Sequence, residues 1–281
     1  MIEDDIDQID YAVSGDGPTV VLVPGSCSTG SAWKPVISAW GPGYRFVTTS
    51  LPGYGGTRER RTEADTSMAH VAEAVEAVIR RTAATVHLVG HSFGGLVALA
   101  VALRSRMPLA SLSVIEPPAL GTLEDHDDAR ELDAFRRMSE SYARAFAKGQ
   151  RDAIAAMIDF YGGVGTFTSW PERARNYAIE TTRVNLVDWS TARGFVLGKG
   201  ALMRIDVPTL LLCGGDSHPA MQRIIARLGA GIPAAETGTI EQASHFMIAT
   251  HATEVAARLS RHVARAESIL RLRAAAFYQD M

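Results

Sequence analysis

The sequence predicts an α/β protein: a mostly parallel central sheet with helices on both faces, interrupted by an inserted all-helical cap. Three observations predict it. Short apolar or β-branched runs closed by Gly or Pro alternate with helical stretches at both ends of the chain. That rhythm stops between about residues 120 and 203, where helical patterns follow one another with no strand between them. And "LVGHSFGGL", residues 88–96, sets a serine among glycines where a strand-like run meets a helical one. Alternating strands and helices imply parallel pairing, because parallel neighbours need a long crossover, which covers the sheet faces.

The elements follow in order. "TVVLVPG" (19–25) and "YRFVTTSLPG" (44–53) read as strands, with "SAWKPVISAW" (31–40) as a short helix between them. "MAHVAEAVEAVIRR" (68–81) puts Val71, Val75, Val78 and Ile79 on one helical stripe, and residues 85–89 then form a strand running into the serine turn. The following "GLVALAVALRSR" is apolar nearly all round, which predicts a buried helix; "LASLSVIEPP" (109–118) is a strand stopped by two prolines. The helical insertion comprises "ARELDAFRRMSESYARAFAKG", "RDAIAAMIDFYGG" and "WPERARNYAIETTRVNLVDW". Strands resume with "DVPTLLLCGGD" (206–216), then a helix at "AMQRIIARLG", a weaker strand at "AAETGTI", the loop "EQASHF" and a final helix from about residue 253. Residues 1–119 and 204–281 are therefore expected to form one core, with 120–203 as a cap over the carboxyl edge of the strands, where open α/β sheets bind ligands.

The chain has 281 residues, 47% hydrophobic and 21% charged, with net charge -3, so it is long enough for one sizeable core and has no basic bias toward nucleic acid or anionic membrane. A small-molecule substrate is the expected partner; a homo-oligomer is compatible with the sequence and not indicated by it. The acidic start "MIEDDIDQIDYAVSG" lacks the basic and apolar regions of a secretory signal, so a cytoplasmic location is expected. Cys27 and Cys213 are expected to be free thiols, and two cysteines make no metal cage of their own.

Gly90-His91-Ser92-Phe93-Gly94 falls between a strand and a helix. A tight turn there forces an unusual backbone conformation on the serine and crowds its neighbours, which glycines tolerate. The result is an exposed hydroxyl at a helix N-terminus, where free N–H groups and the helix dipole favour developing negative charge. Ser92 is thereby marked as a nucleophile.

Together "VLVPGSCSTGSAW", "SLPGYGGT", "LVGHSFGG" and "IEQASHFM" resemble the α/β-hydrolase superfamily in order and spacing, over nearly the whole chain. The resemblance implies a nucleophile, then an acid after a later strand, then a histidine on a loop near the C-terminus: Ser92, an acid and His245. His126, His218 and the other histidines fit that last place less well. His91 is expected to shape the turn. The family's usual acid position, counted from Gly214, holds Ser217, with Asp216 one residue early; the known variation places the acid at the end of the strand before the insertion, where Glu116 stands. Glu116 is favoured and Asp216 stays open. The oxyanion donors implied are the backbone N–H groups of Phe93 and, after Pro24-Gly25, of Ser26.

A serine at the nucleophile position argues against the branches that attack with aspartate and leaves acyl transfer. The resemblance thus implies a carboxylesterase-like serine hydrolase without metal or organic cofactor, acting on a small to medium, mainly apolar ester or related acyl bond. Cofactor-free perhydrolase (haloperoxidase-like) chemistry, carbon–carbon bond hydrolysis and a non-catalytic ligand-binding role stay open on the same scaffold. Trp170, Trp189, Phe160, Tyr161, Phe167 and Met157 are candidates to line the acyl pocket.

Overall fold

The computed structural model describes residues 8–124, 128–197 and 200–279; the expectation for His126 falls outside them. Among the described residues seven strands form one sheet: β1 (Tyr11–Ser14), β2 (Thr19–Val23), β3 (Arg45–Thr49), β4 (Val86–His91), β5 (Leu109–Ile115), β6 (Thr209–Gly214) and β7 (Ala235–Ile240). Their order across the sheet is β1-β3-β2-β4-β5-β6-β7, and every pair is parallel except β1 with β3. β1 is the strand absent from the sequence reading. Its four residues are mostly exposed at the sheet edge, so they carry none of the apolar run that betrays the buried strands.

The period of two along the strands divides the core. Val20 and Leu22 face a layer built with α1 (Lys34–Trp40) and α12 (Ala252–Gln279), through Trp33, Val36, Val255 and Leu259. Val21 and Val23 face the opposite layer, formed by α2 (Met68–Thr82), α3 (Phe93–Arg104) and α10 (Pro219–Gly231). The α2 stripe of Val71, Val75, Val78 and Ile79 is buried as its spacing predicts, and α3 is buried from Phe93 through Val101.

Between β5 and β6 lie α4 (Gly121–Glu124), α5 (Ala129–Ala147), α6 (Ile154–Gly162), α7 (Thr166–Ser169), α8 (Glu172–Glu180) and α9 (Thr182–Gly194), with no strand described among them. α11 (Met247–Thr250) is a single turn after β7. Among the described residues no helix is long and apolar enough to cross a membrane.

The junction of β4 and α3 fixes the geometry of everything near Ser92. A Cβ on Gly90 would lie 2.3 Å from the Gly94 carbonyl oxygen, and one on Gly94 would lie 2.3 Å from that of Pro24. Both approaches are backbone to backbone, so no side chain can yield. Gly94→Ala should therefore cost about 3 kcal/mol or more of stability through overpacking. A melting temperature equal to that of the unmodified protein would contradict this close contact.

Candidate active site

Ser92 stands between β4 and α3 with φ 55° and ψ −127°, the cramped turn expected of a serine forced out of the strand before the helix begins. Its N–H donates to the Ile115 carbonyl at 2.8 Å, pinning the turn to the end of β5. Its Oγ lies 2.9 Å from Nε2 of His245, on the loop after β7. His245 Nδ1 lies 2.7 Å from Oε2 of Glu116, directly after β5. All three residues follow the carboxyl ends of strands, so the sheet brings together groups far apart in sequence.

Glu116 is 0% exposed, and its backbone takes φ 43°. Burial alone would raise its carboxyl; the hydrogen bond and charge of His245, and the Gly214 N–H donating to Oε1 at 2.7 Å, outweigh that and hold it below the usual carboxylate value. A third donor is the Cys213 thiol, 3.2 Å from the same oxygen. An ionised Glu116 takes the Nδ1–H of His245, which leaves Nε2 free to accept from Ser92.

Asp216 lies apart from this series. It is exposed, its N–H donates to the Ala243 carbonyl, and no hydrogen bond joins its carboxylate to His245. The glycine turn at the end of β6 presents its backbone amide to Glu116 instead of presenting a side chain.

His245 is packed on both sides. Tyr161 of α6 stacks on its ring at 4.2 Å between centroids and 22° between planes, and the His91 ring lies 4.9 Å away. His91 Nε2 donates to the His245 carbonyl at 2.8 Å, so this residue braces the loop that carries the other imidazole. Burial, with the neighbouring His245 adding, lowers His91 to about 3, and the ring stays neutral with its proton on Nε2.

The Ser92 hydroxyl opens into a cavity of about 700 Å³ walled by the core and by the inserted helices. Met157 and Tyr161, four residues apart on α6, line it together with Trp170 and Trp189. Two of the expected lining residues do not: Phe160 turns away to stack on His218 at 4.2 Å, and Phe167 packs into the hydrophobic core. Ser26 and Phe93 both line the cavity near Ser92. Phe93 opens α3, so its N–H belongs to the first turn, where donors have no intrahelical acceptor. Ser26 follows β2 in a loop where Cys27 has φ 56°, and a Cβ at Gly25 would come within 2.9 Å of Ser92 Cβ, which keeps that loop tight against the serine. Burial, reinforced by Asp188, pushes the Cys27 thiol up to about 12, so it is not a thiolate at neutral pH. Among the described residues no cluster of three or more His, Cys, Asp or Glu could hold a metal ion.

One charged group escaped the sequence reading. Asp188 of α9 is buried on the cavity wall, with Ser26, Tyr54 and Arg61 around its carboxylate. Nothing local in the sequence of α9 distinguishes it.

A doubly covered, mostly parallel sheet that carries a hydrogen-bonded Ser–His–Glu series at its carboxyl edge, beside a helical insertion, is the architecture of an α/β hydrolase. The chain belongs to the alpha/beta hydrolase family, whose model matches residues 20–258. It is 27% identical over 267 residues to a pimeloyl-[acyl-carrier protein] methyl ester esterase of Xanthomonas campestris pv. campestris (strain B100), covering 90% of this chain and 97% of that protein. Among solved structures it is similar to a thermophilic esterase from Thermogutta terrifontis, with TM-score 0.74 and 20% identity over 92% of this chain and 93% of that one. A bromoperoxidase from Bacillus anthracis is similar with TM-score 0.70 and 20% identity, over 92% and 98% of the two chains. At these identities the solved structures share the fold, and the chain is a hydrolase of the esterase type.

The neutral, buried His91 ties stability to pH. The unfolded ring gains a proton below about 6.5 and the folded ring only near 3, so the unfolded state binds more protons in between and stability falls as pH drops. From pH 7 to pH 5 this residue alone should cost about 2 kcal/mol. Urea midpoints at the two pH values test it, and His91→Gln should flatten the difference; an unchanged pH dependence in that variant would assign the effect elsewhere.

Proposed function

We propose that the protein is a carboxylesterase-like serine hydrolase that cleaves an ester of a neutral, small to medium, mainly apolar acyl substrate through an acyl-enzyme. The single observation that supports this reading most is the continuous series Ser92 Oγ–His245 Nε2, His245 Nδ1–Glu116 at 2.9 and 2.7 Å, opening on an apolar cavity. Ser92 Oγ attacks the ester carbonyl carbon as its proton passes to His245 Nε2. The carbonyl oxygen becomes an oxyanion facing the N–H groups of Ser26 and Phe93. Collapse of the tetrahedral intermediate breaks the bond to the leaving alcohol, which takes the proton from Nε2. Water then attacks the acyl-enzyme, gives its proton to Nε2, and the acid leaves as Ser92 recovers its own. Glu116 stays ionised throughout, orienting the imidazole and stabilising the imidazolium, and no metal or organic cofactor has a part in these steps.

The cavity lining bears on the substrate. Among the described residues it includes no lysine or arginine, and its charged or titratable side chains are His91, His245, Asp188, Cys27 and Tyr161. With no cation among the described lining residues, an anionic tail would lose its hydration without gaining a charge partner. The relative named above for a carrier-protein methyl ester lends the ester chemistry to this reading, and the lining favours a neutral acyl chain.

Ser92→Ala should abolish both hydrolysis of aryl esters and labelling by a fluorophosphonate probe; undiminished turnover in a pure preparation would remove the nucleophile. Glu116→Gln should lower kcat by about 10³ to 10⁴, as carboxamide replacement does in other triads. Asp216→Asn should leave kcat within about twofold. The reverse ranking of these two variants would return the acid to the loop after β6. A chelator should have no effect on turnover, and activity lost in EDTA and restored by added metal would contradict the mechanism.

A further inference from the structure

Asp188 is the carboxylate on the cavity wall that the mechanism leaves without a task. It is 2% exposed, yet two hydroxyl donors and a guanidinium from outside α9 converge on it. Ser26 Oγ donates to Oδ2 at 2.5 Å, Tyr54 Oη donates to the same oxygen at 2.6 Å, and Arg61 Nη1 lies 2.8 Å from Oδ1. Arg61 is also buried. It donates through Nη1 to Thr191, three residues further along α9, and through Nε and Nη2 to Glu59 at 2.9 and 2.7 Å. The carboxylate therefore joins the loop after β2, the segment after β3 and the inserted helix α9.

Ser26 is the partner that matters for chemistry. β2 ends at Val23, so Ser26 has no ladder bond to hold it, and Cys27 next to it has the left-handed backbone already noted. Within the loop Ser28 Oγ donates to the Gly25 carbonyl at 2.8 Å, and the Ser26 hydroxyl is the side chain that ties the peptide to α9. A donor misplaced by about 1 Å in an oxyanion pair can cost about a hundredfold in rate. A bare carboxylate this near would oppose the oxyanion, and the adjacent guanidinium offsets that charge.

We propose that Asp188 is a positioning residue: from α9 it holds the Ser26 hydroxyl and so aims the Ser26 N–H at the oxyanion, completing the oxyanion pair only when the helical insertion is docked. This rests on Ser26 as an oxyanion donor in the serine-hydrolase reading. Asn185, Asp188 and Trp189 of α9 line the same cavity as Ser92, so the residue that holds Ser26 also faces the acyl chain.

The test is a double-mutant cycle of Ser26→Ala and Asp188→Ala, read as kcat and KM on a p-nitrophenyl ester and as inhibition by an alkyl boronic acid, which forms a tetrahedral adduct on Ser92. Ser26→Ala keeps the backbone N–H and leaves Arg61, Asp188 and Tyr54 joined, so its melting temperature should stay near that of the parent. Its kcat should fall about tenfold to a hundredfold with KM within about twofold, and boronate affinity should fall by a similar factor. Adding Asp188→Ala should cost at most about twofold more, the non-additivity expected of one shared tether. Asp188→Asn, which keeps an acceptor oxygen, should lie between parent and Asp188→Ala. If Asp188→Ala does not fold, Ser26→Ala and Asp188→Asn decide. Unchanged kcat in Ser26→Ala, or losses that simply multiply, would overturn the positioning role while Ser92-dependent turnover left the hydrolase reading intact. A parent protein with neither Ser92-dependent turnover nor fluorophosphonate labelling would overturn both.

Discussion

The site depends first on a backbone contact. At the β4–α3 junction the chain passes so close to itself and to the Pro24 carbonyl that side chains are excluded at Gly90 and Gly94. That closeness lifts Ser92 out of the strand, starts α3 beneath it and sets the loop after β2 against its Cβ. The serine, the first-turn N–H of Phe93 and the loop of Ser26 therefore share one rigid frame, and a hydroxyl of ordinary chemistry gains fixed surroundings.

Onto that frame the sheet adds a buried charge with its partners already in place. Glu116 follows the strand adjacent to that of Ser92, and its two oxygens meet His245 on one side and the Gly214 amide and Cys213 thiol on the other. Removing a carboxylate from water is costly unless its lone pairs are used, and here they are. Asp188, a second buried carboxylate, is met by two hydroxyl donors on Oδ2 and by the charge of Arg61 beside Oδ1, while His91 avoids the cost by staying neutral.

What could be read from the sequence follows from how local its cause is. The α2 stripe, the all-apolar α3 and the glycines of the serine turn each express their structure within a few residues, so their places were legible. Glu116 was visible as an acid closing an apolar strand, but its partners lie 98 and 129 residues away, and proximity to Asp216 in the usual order kept both acids open. β1 was not legible, because a short exposed edge strand takes its conformation from pairing with β3 and not from its own pattern. The rotation of α6 about its axis was equally hidden: tertiary packing turned Met157 and Tyr161 toward the cavity and Phe160 toward His218. The Ser26–Asp188 contact spans 162 residues and two different elements, a separation at which no periodicity speaks.

The placement of Glu116 before the insertion has a consequence for the order in which the chain is made. Ser92 and Glu116 are synthesised close together and end neighbouring strands. The Gly214 amide and His245, which make the burial of that carboxylate tolerable, are synthesised roughly a hundred residues later. A nascent chain halted in between carries Ser92 on its turn and Glu116 with no imidazole to meet, so the hydrogen-bonded series is completed with the last strand and not with the serine.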